Sequence, residues 1–297
     1  MNTWTSFGIG RAVSEALACA LQWRVGLIWI VTLGLVSLLG VAPLASALGS
    51  ALDQVPDAAR LAQRLSLPEI GGLMSHLGES GGSISMALMA SLIAAAVLSP
   101  WLTGVAITAA RGQSAPRFSE LVQGGLTEYP RQLRLLLWGV LVYGVAMAVM
   151  GGLSHWASTR AEGLTLESAA QRGAMLATVI GAIALVLAHV SLESARAFLV
   201  VRPNDGGALR AWWRAVKLLV RRPLATLAVY LGVLVIGLVV AAVIAIVRVR
   251  VAPIGWSWVI VAALLTQLTV LALAWARVAR LRALAHLAHD EAIRRYR

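Results

Sequence analysis

The chain has 297 residues, of which 59% are hydrophobic and only 13% are charged. Soluble proteins carry roughly 25% charged residues, and one soluble core cannot bury this much apolar surface, so the composition excludes an ordinary soluble domain. The net charge of +12 raises nucleic acid as a partner, but no nucleic-acid-binding module is recognisable. An excess of basic residues also marks the cytoplasmic face of membrane proteins, so we predict an integral membrane protein that binds no nucleic acid.

The chain starts with a short segment, RAVSEALACALQWR, that precedes a long apolar run. That run is longer than the apolar region of a cleaved signal peptide, so we expect it to remain as the first transmembrane helix. Cys19 is the only cysteine. This excludes an intramolecular disulfide and a cysteine-based metal cluster. Cys19 is predicted to be a small apolar helix residue, with palmitoylation as the weaker alternative.

Six runs are long and apolar enough to cross a bilayer, which takes about 20 residues. A chain in lipid must satisfy its own backbone hydrogen bonds, and the runs lack the alternation of barrel strands, so each is predicted to be a helix. The fold class is therefore all-α integral membrane, with six transmembrane helices arranged as three hairpins in a single domain. The predicted spans cover about residues 25–48, 84–110, 135–157, 173–200, 224–247 and 256–280.

Basic residues divide unequally between the two sides of these spans. Nineteen lie at the termini and in the loops after the second and fourth spans, against six on the other side. The positive-inside rule then predicts cytoplasmic N and C termini. All but one of the basic residues are arginine, the exception being Lys217. That bias, with much alanine, leucine, valine and glycine, indicates a GC-rich bacterial genome, so we expect a multi-pass protein of the bacterial inner membrane.

Three segments on the predicted cytoplasmic side have amphipathic patterns, namely RAVSEALACALQWR, FSELVQGGLTEYPRQLR and GALRAWWRAVKLLVRRP. Each precedes a hairpin, which indicates a topological repeat. In the third segment Asn204 or Asp205 is predicted to cap the helix. Its cations form a stripe predicted to lie near anionic lipid headgroups; the alternative is a connector helix packed on the bundle. The stripe contains Arg210, Arg214, Lys217, Arg221 and Arg222.

The loop after the first span contains Ser66 and Glu69 at the spacing of a capping box. Apolar residues follow at helical spacing, at Ile70, Leu73 and Leu77. This pattern predicts a short helix on the outer membrane surface.

The fourth span carries the sharpest polar pattern. His189, Glu193 and Arg196 lie at i, i+4 and i+7, and therefore on one helix face. Ionisable groups at membrane depth usually face the bundle interior. The functional interpretation is a polar site for a headgroup, an ion or a proton. The structural interpretation, which we favour, pairs Glu193 with Arg196 or with a loop arginine.

Other polar features are weaker. Gln267 lies in the middle of the sixth span, where such groups usually join helices. Pro100 predicts a kink in the second span. His286 and His289 have metal-like spacing in the tail but lack a further strong ligand, so we predict neither a metal nor a cofactor. No nucleotide, zinc-protease or nucleophile-elbow motif is found.

The segment SLESARAFLVVRPNDGGALRAWWRAVKLLVRRPLATLAVYLG resembles part of a loose class of bacterial six-helix membrane proteins. The matching positions are Glu193, Arg196, Asp205, Trp213 and Pro223. The chain is also similar to the membrane domain found beside some glycerophosphodiester phosphodiesterases. The catalytic domain of those enzymes has no counterpart here, so the resemblance implies a fold and no activity.

Three functions remain open. The first is a non-enzymatic accessory protein that acts through anionic membrane lipids or through a membrane protein partner. The second is a transporter or permease subunit with a polar site around Glu193, and the third is an intramembrane lipid enzyme. Convergence of Glu193, His189 and Gln267 on a cavity favours the last two, whereas a salt-bridged Glu193 in a packed interior favours the first.

Overall fold

The computed structural model describes residues 9–53, 81–112, 115–161, 167–202, 207–251 and 256–294. Regular structure in these ranges is α-helical: α1 Ile9–Cys19, α2 Trp23–Asp53, α3 Gly81–Arg111, α4 Phe118–Ala161, α5 Glu167–Val201, α6 Ala208–Arg221, α7 Pro223–Arg250 and α8 Trp256–Arg294. Six of these helices, α2 to α5, α7 and α8, are long and apolar enough to cross a membrane. The prediction of an all-α six-helix membrane protein is confirmed.

The chain forms two compact units, Leu27–Ser99 and the remainder. In the smaller unit, α2 and α3 pair through small residues. The Ser91 hydroxyl donates a hydrogen bond to the carbonyl oxygen of Val36 at 2.6 Å, and it lies 3.0 Å from where a Cβ would stand on Gly40. Glycine thus permits the close approach of the two helices that form this hairpin.

The larger unit contains the other two hairpins, α4 with α5 and α7 with α8, and α5 also packs on α8. Small residues again let helices approach one another. A side chain at Gly181 would collide with Met150, and one at Gly237 would collide with Ala276. Packing of this kind is usual between helices in lipid, where burial of apolar groups gives little driving force.

Two helices are much longer than their predicted spans. The segment before the third span was predicted as a separate amphipathic helix, but it is the first part of α4, a single helix of 44 residues. The tail after the sixth span is likewise continuous with α8. Gly125 explains how the first part of α4 packs, since a Cβ there would lie 2.8 Å from Trp101 Nε1 on α3.

Tight packing in the larger unit is concentrated at the span ends that carry most of the basic residues, here called the basic side. Leu135, Leu192 and Leu199 are almost fully buried there, and they pack against the alanine-lined face of α6. The helix α1 packs on α8 at the same side, where the Trp275 indole nitrogen donates a hydrogen bond to the Leu17 carbonyl oxygen at 2.9 Å. In contrast, the opposite ends of these helices expose large apolar side chains, as expected of surfaces in lipid.

Three local predictions concern the cap of α6, an outer helix and a kink in α3. The helix α6 begins at Ala208 with Gly207 in the N-cap position and no side-chain cap, and the predicted caps Asn204 and Asp205 lie outside the described residues. So does the predicted outer helix that starts near Ser66. Pro100 lies inside α3, and the predicted kink there stays a prediction.

Candidate functional site

Glu193 is the centre of a buried polar cluster on the basic side. Its side chain is only 2% exposed. One carboxylate oxygen accepts a hydrogen bond from Arg196, one turn further along α5, and the other lies 3.6 Å from Nε of Arg280 on α8. A buried carboxylate is costly unless cations and hydrogen bonds compensate it, and two arginines from two helices do so here.

His189 extends this cluster along α5 to two tyrosines. Its Nδ1 is hydrogen-bonded to the Tyr143 hydroxyl of α4 at 2.5 Å, and its ring meets the Tyr230 ring of α7 edge to face at 5.8 Å between centroids. The Arg280 guanidinium lies over the same Tyr230 ring at 5.2 Å. The polar face of α5 therefore joins four helices through the contacts of His189 and Glu193.

The structure thus brings together His189, Glu193 and Arg196, as the helical spacing predicted. It does not bring Gln267 to them. Gln267 lies 13 residues before Arg280 on the same helix, which is roughly 20 Å along the helix axis. The convergence of Glu193, His189 and Gln267 that would favour transport or catalysis is therefore not formed, and Glu193 is a buried, salt-bridged group.

Two further buried carboxylates each lie between two arginines, as Glu193 does. Glu128 on α4 lies 2.8 Å from Arg111 and 3.3 Å from Arg131. Glu291 on α8 lies 3.0 Å from Arg221 and 3.8 Å from Arg222. Glu291 thus pairs with Arg221 and Arg222, two of the five cations of the predicted lipid stripe, whose contact with lipid stays a prediction.

Other arginines on the basic side bind the carbonyl oxygens at helix ends. Arg111 donates to the Leu199 carbonyl oxygen at 2.7 Å, and Arg282 donates to the carbonyl oxygens of Ala109 and Gly112. The last carbonyls of a helix lack intrahelical partners and favour cations. Many of the basic residues counted as cytoplasmic therefore also hold helix ends together.

The helix α6 has three distinct faces. Ala208, Ala211, Ala215 and Leu218 are buried against the bundle. A second face exposes large apolar side chains, with Trp213 54% and Val220 75% exposed. Its third face is basic. The buried face fits the predicted connector packed on the bundle. The position of the other two faces in a membrane interface stays a prediction.

A groove of about 490 Å³ opens beside the basic face. Its lining combines three tryptophans with three cations, and consists of Trp138, Leu209, Arg210, Trp212, Trp213, Arg214 and Lys217. The wall is held in place by contacts behind it. The Trp212 indole nitrogen donates to the Ser191 hydroxyl at 3.1 Å, and the rings of Trp138 and Trp212 meet edge to face at 5.3 Å.

Sequence reasoning missed several members of these clusters. Arg280 was counted only as a basic tail residue, although its spacing from Arg277 puts both on one helix face. The i, i+3 pair of Glu128 and Arg131 was likewise a local signal. No short-range sequence pattern predicts the contact between Glu291 and Arg221, which are 70 residues apart.

Comparisons with protein-family models, with curated proteins and with solved structures found no match. The resemblance to the membrane domain beside some glycerophosphodiester phosphodiesterases therefore stays a prediction.

Proposed function

We propose that the protein is a non-enzymatic accessory protein of the bacterial inner membrane, with both termini in the cytoplasm, that acts through anionic lipids at its basic side. The observation that carries the proposal is the contrast between two sets of charges. The buried carboxylates Glu128, Glu193 and Glu291 each pair with two arginines of the protein. Arg210 and Lys217 pair with no carboxylate of the described residues and stand exposed on α6.

The ion pairs that Glu193 forms within the protein argue against a role for it in transport or catalysis. A proton or substrate pathway needs ionisable groups that face a water-filled cavity. Glu193 instead has a side chain only 2% exposed, between Arg196 and Arg280. The proposed orientation is supported by the count of 19 basic residues against six, since cytoplasmic segments carry the excess of arginine and lysine.

The exposed charges of α6 suit a negatively charged membrane surface. Each basic residue near such a surface contributes on the order of 1 kcal/mol. The apolar residues Trp213 and Val220 beside them are then covered by lipid, where their exposure in water would be costly.

The proposal is tested by lipid selectivity of the full chain. The protein is reconstituted with spin-labelled phosphatidylglycerol or phosphatidylcholine, and the motionally restricted fraction of each lipid is measured. We expect preferential association of the anionic lipid, which weakens as salt is raised because exposed charges are screened. Equal association of the two lipids at low salt would refute the proposal.

A further inference from the structure

We propose that the groove beside α6 is a saturable site for one anionic phospholipid, with the phosphate among Arg210, Arg214 and Lys217. The glycerol and first methylene groups then lie against the tryptophans. This inference rests on the proposed function and narrows it, from attraction to a charged surface to a single site with a defined occupant.

The groove has the size and the rigidity of a binding site. Its volume of about 490 Å³ lies within the usual range for small-molecule sites, about 300–1,000 Å³. Trp212 is held by Ser191 at 3.1 Å and by the ring of Trp138. The aromatic wall is therefore formed before a ligand arrives, which lowers the entropy lost on binding.

The charge of the lining selects an anion. Among the described residues, the lining holds the cations Arg210, Arg214 and Lys217 and no carboxylate. Arg210 and Lys217 pair with no carboxylate of the described residues, whereas Glu291 pairs with Arg221 and Arg222 on the same stretch of chain. An arginine can bind two phosphate oxygens at once, and such charge-assisted hydrogen bonds are the strong ones. A phosphodiester is therefore the headgroup chemistry that this lining matches.

The apolar surroundings select a lipid over a soluble anion. Leu209 and Trp213 line the groove and are each 54% exposed, and Leu224, at the start of the fifth span, is 83% exposed. A soluble phosphate or a nucleic acid would leave these surfaces in water. Tryptophan prefers the depth of the headgroups, and the Lys217 ammonium lies 5.8 Å from the Trp213 ring centre, so cation and ring face one ligand region together.

The test compares two variants that remove equal charge from exposed positions on the basic side. Arg210→Gln with Lys217→Gln changes the groove, whereas Arg117→Gln with Arg134→Gln changes cationic positions outside it. Full-length protein in zwitterionic detergent is titrated with dioleoyl phosphatidylglycerol, and native mass spectrometry counts bound lipids. We expect one lipid at saturation in the wild type, about thirtyfold weaker binding in the groove variant because two cations are lost, and wild-type binding in the control.

The remaining outcomes separate this site from the general proposal. Equal weakening in both variants, or continued uptake without saturation, would overturn the site while leaving the selectivity for anionic lipid intact. A wild type that binds phosphatidylcholine as well as phosphatidylglycerol would remove both. A third arm uses glycerophosphoglycerol, which has the same phosphodiester without acyl chains. We expect no binding at the concentration at which the lipid saturates, and equal binding would show that the occupant is a soluble phosphate.

Discussion

Replacing Glu193 by alanine leaves Arg196 and Arg280 facing each other with no carboxylate between them. Removing one partner of a buried ion pair costs roughly 3–5 kcal/mol, because the remaining charge is stranded. The side chains of Arg196 and Arg280 are 15% and 12% exposed, so water still reaches part of each guanidinium. We therefore expect a loss near the lower end, about 3 kcal/mol of unfolding free energy.

The matched variants sharpen this prediction. Glu193→Gln keeps the shape of the side chain and an oxygen that accepts from Arg196, so its loss should be smaller than that of alanine. Adding Arg196→Ala to Glu193→Ala should recover only part of the loss, since Arg280 remains without its carboxylate. Glu120→Gln is the control, because Glu120 is exposed and only accepts a hydrogen bond from the Arg117 backbone nitrogen at 2.9 Å.

The assay is equilibrium unfolding of purified protein in mixed micelles, titrated with sodium dodecyl sulfate and followed by tryptophan fluorescence. The control should stay within about 0.5 kcal/mol of the wild type, as surface changes usually do. A Glu193→Ala protein as stable as this control would refute the structural role assigned to the cluster.

Three further predictions concern glycine packing, a second ion pair and the orientation in the membrane. Gly104→Ala should lose about 1–3 kcal/mol by overpacking, because its Cβ would stand 2.8 Å from the Gly125 carbonyl oxygen, whereas Gly144→Ala, with nothing within 4 Å, should be neutral or stabilising in the same unfolding assay. Glu291→Ala should cost less than Glu193→Ala, since the Arg221 and Arg222 side chains that lose their carboxylate are 56% and 24% exposed, and a loss as large as that of Glu193→Ala would contradict this ranking. Reporter fusions should test the orientation, and a cytoplasmic signal at Glu79 would overturn it. We expect cytoplasmic reporters after Arg111, Asp205 and Arg297, and external ones near Glu79, Glu162 and Arg250.

The six spans were predictable because lipid imposes a length and a composition on any helix that crosses it. The ends of α4 and α8 were not, because hydropathy marks only the apolar part of a helix. The first part of α4 contains Pro130 and two adjacent glycines, which are breakers in isolation. In the fold, Gly124 and Gly125 are the positions where α3 comes close, so tertiary packing decides their conformation.

Only the part of the candidate site that lies on one helix could be predicted from the sequence. Spacing along one helix puts His189, Glu193 and Arg196 on one face, and the structure places them together. The second cation of the cluster, Arg280, comes from another helix, and single-sequence periodicity carries no information on such pairs. The pairing of part of the basic stripe of α6 with Glu291 could not be predicted either, because Glu291 lies near the far end of the chain.

The central claim is that the exposed apolar face of α6 lies in the membrane interface, and the depth of Val220 tests it most directly. Val220 is 75% exposed, and Cys19 is the only native cysteine, so Cys19→Ser with Val220→Cys gives a single site for a bimane label. In phosphatidylglycerol-containing bilayers, we expect quenching by lipids spin-labelled near the headgroup and protection from aqueous iodide. The same label at Arg117→Cys, an exposed polar position, should be open to iodide. A Val220 label quenched by iodide and untouched by the spin-labelled lipids would contradict the account.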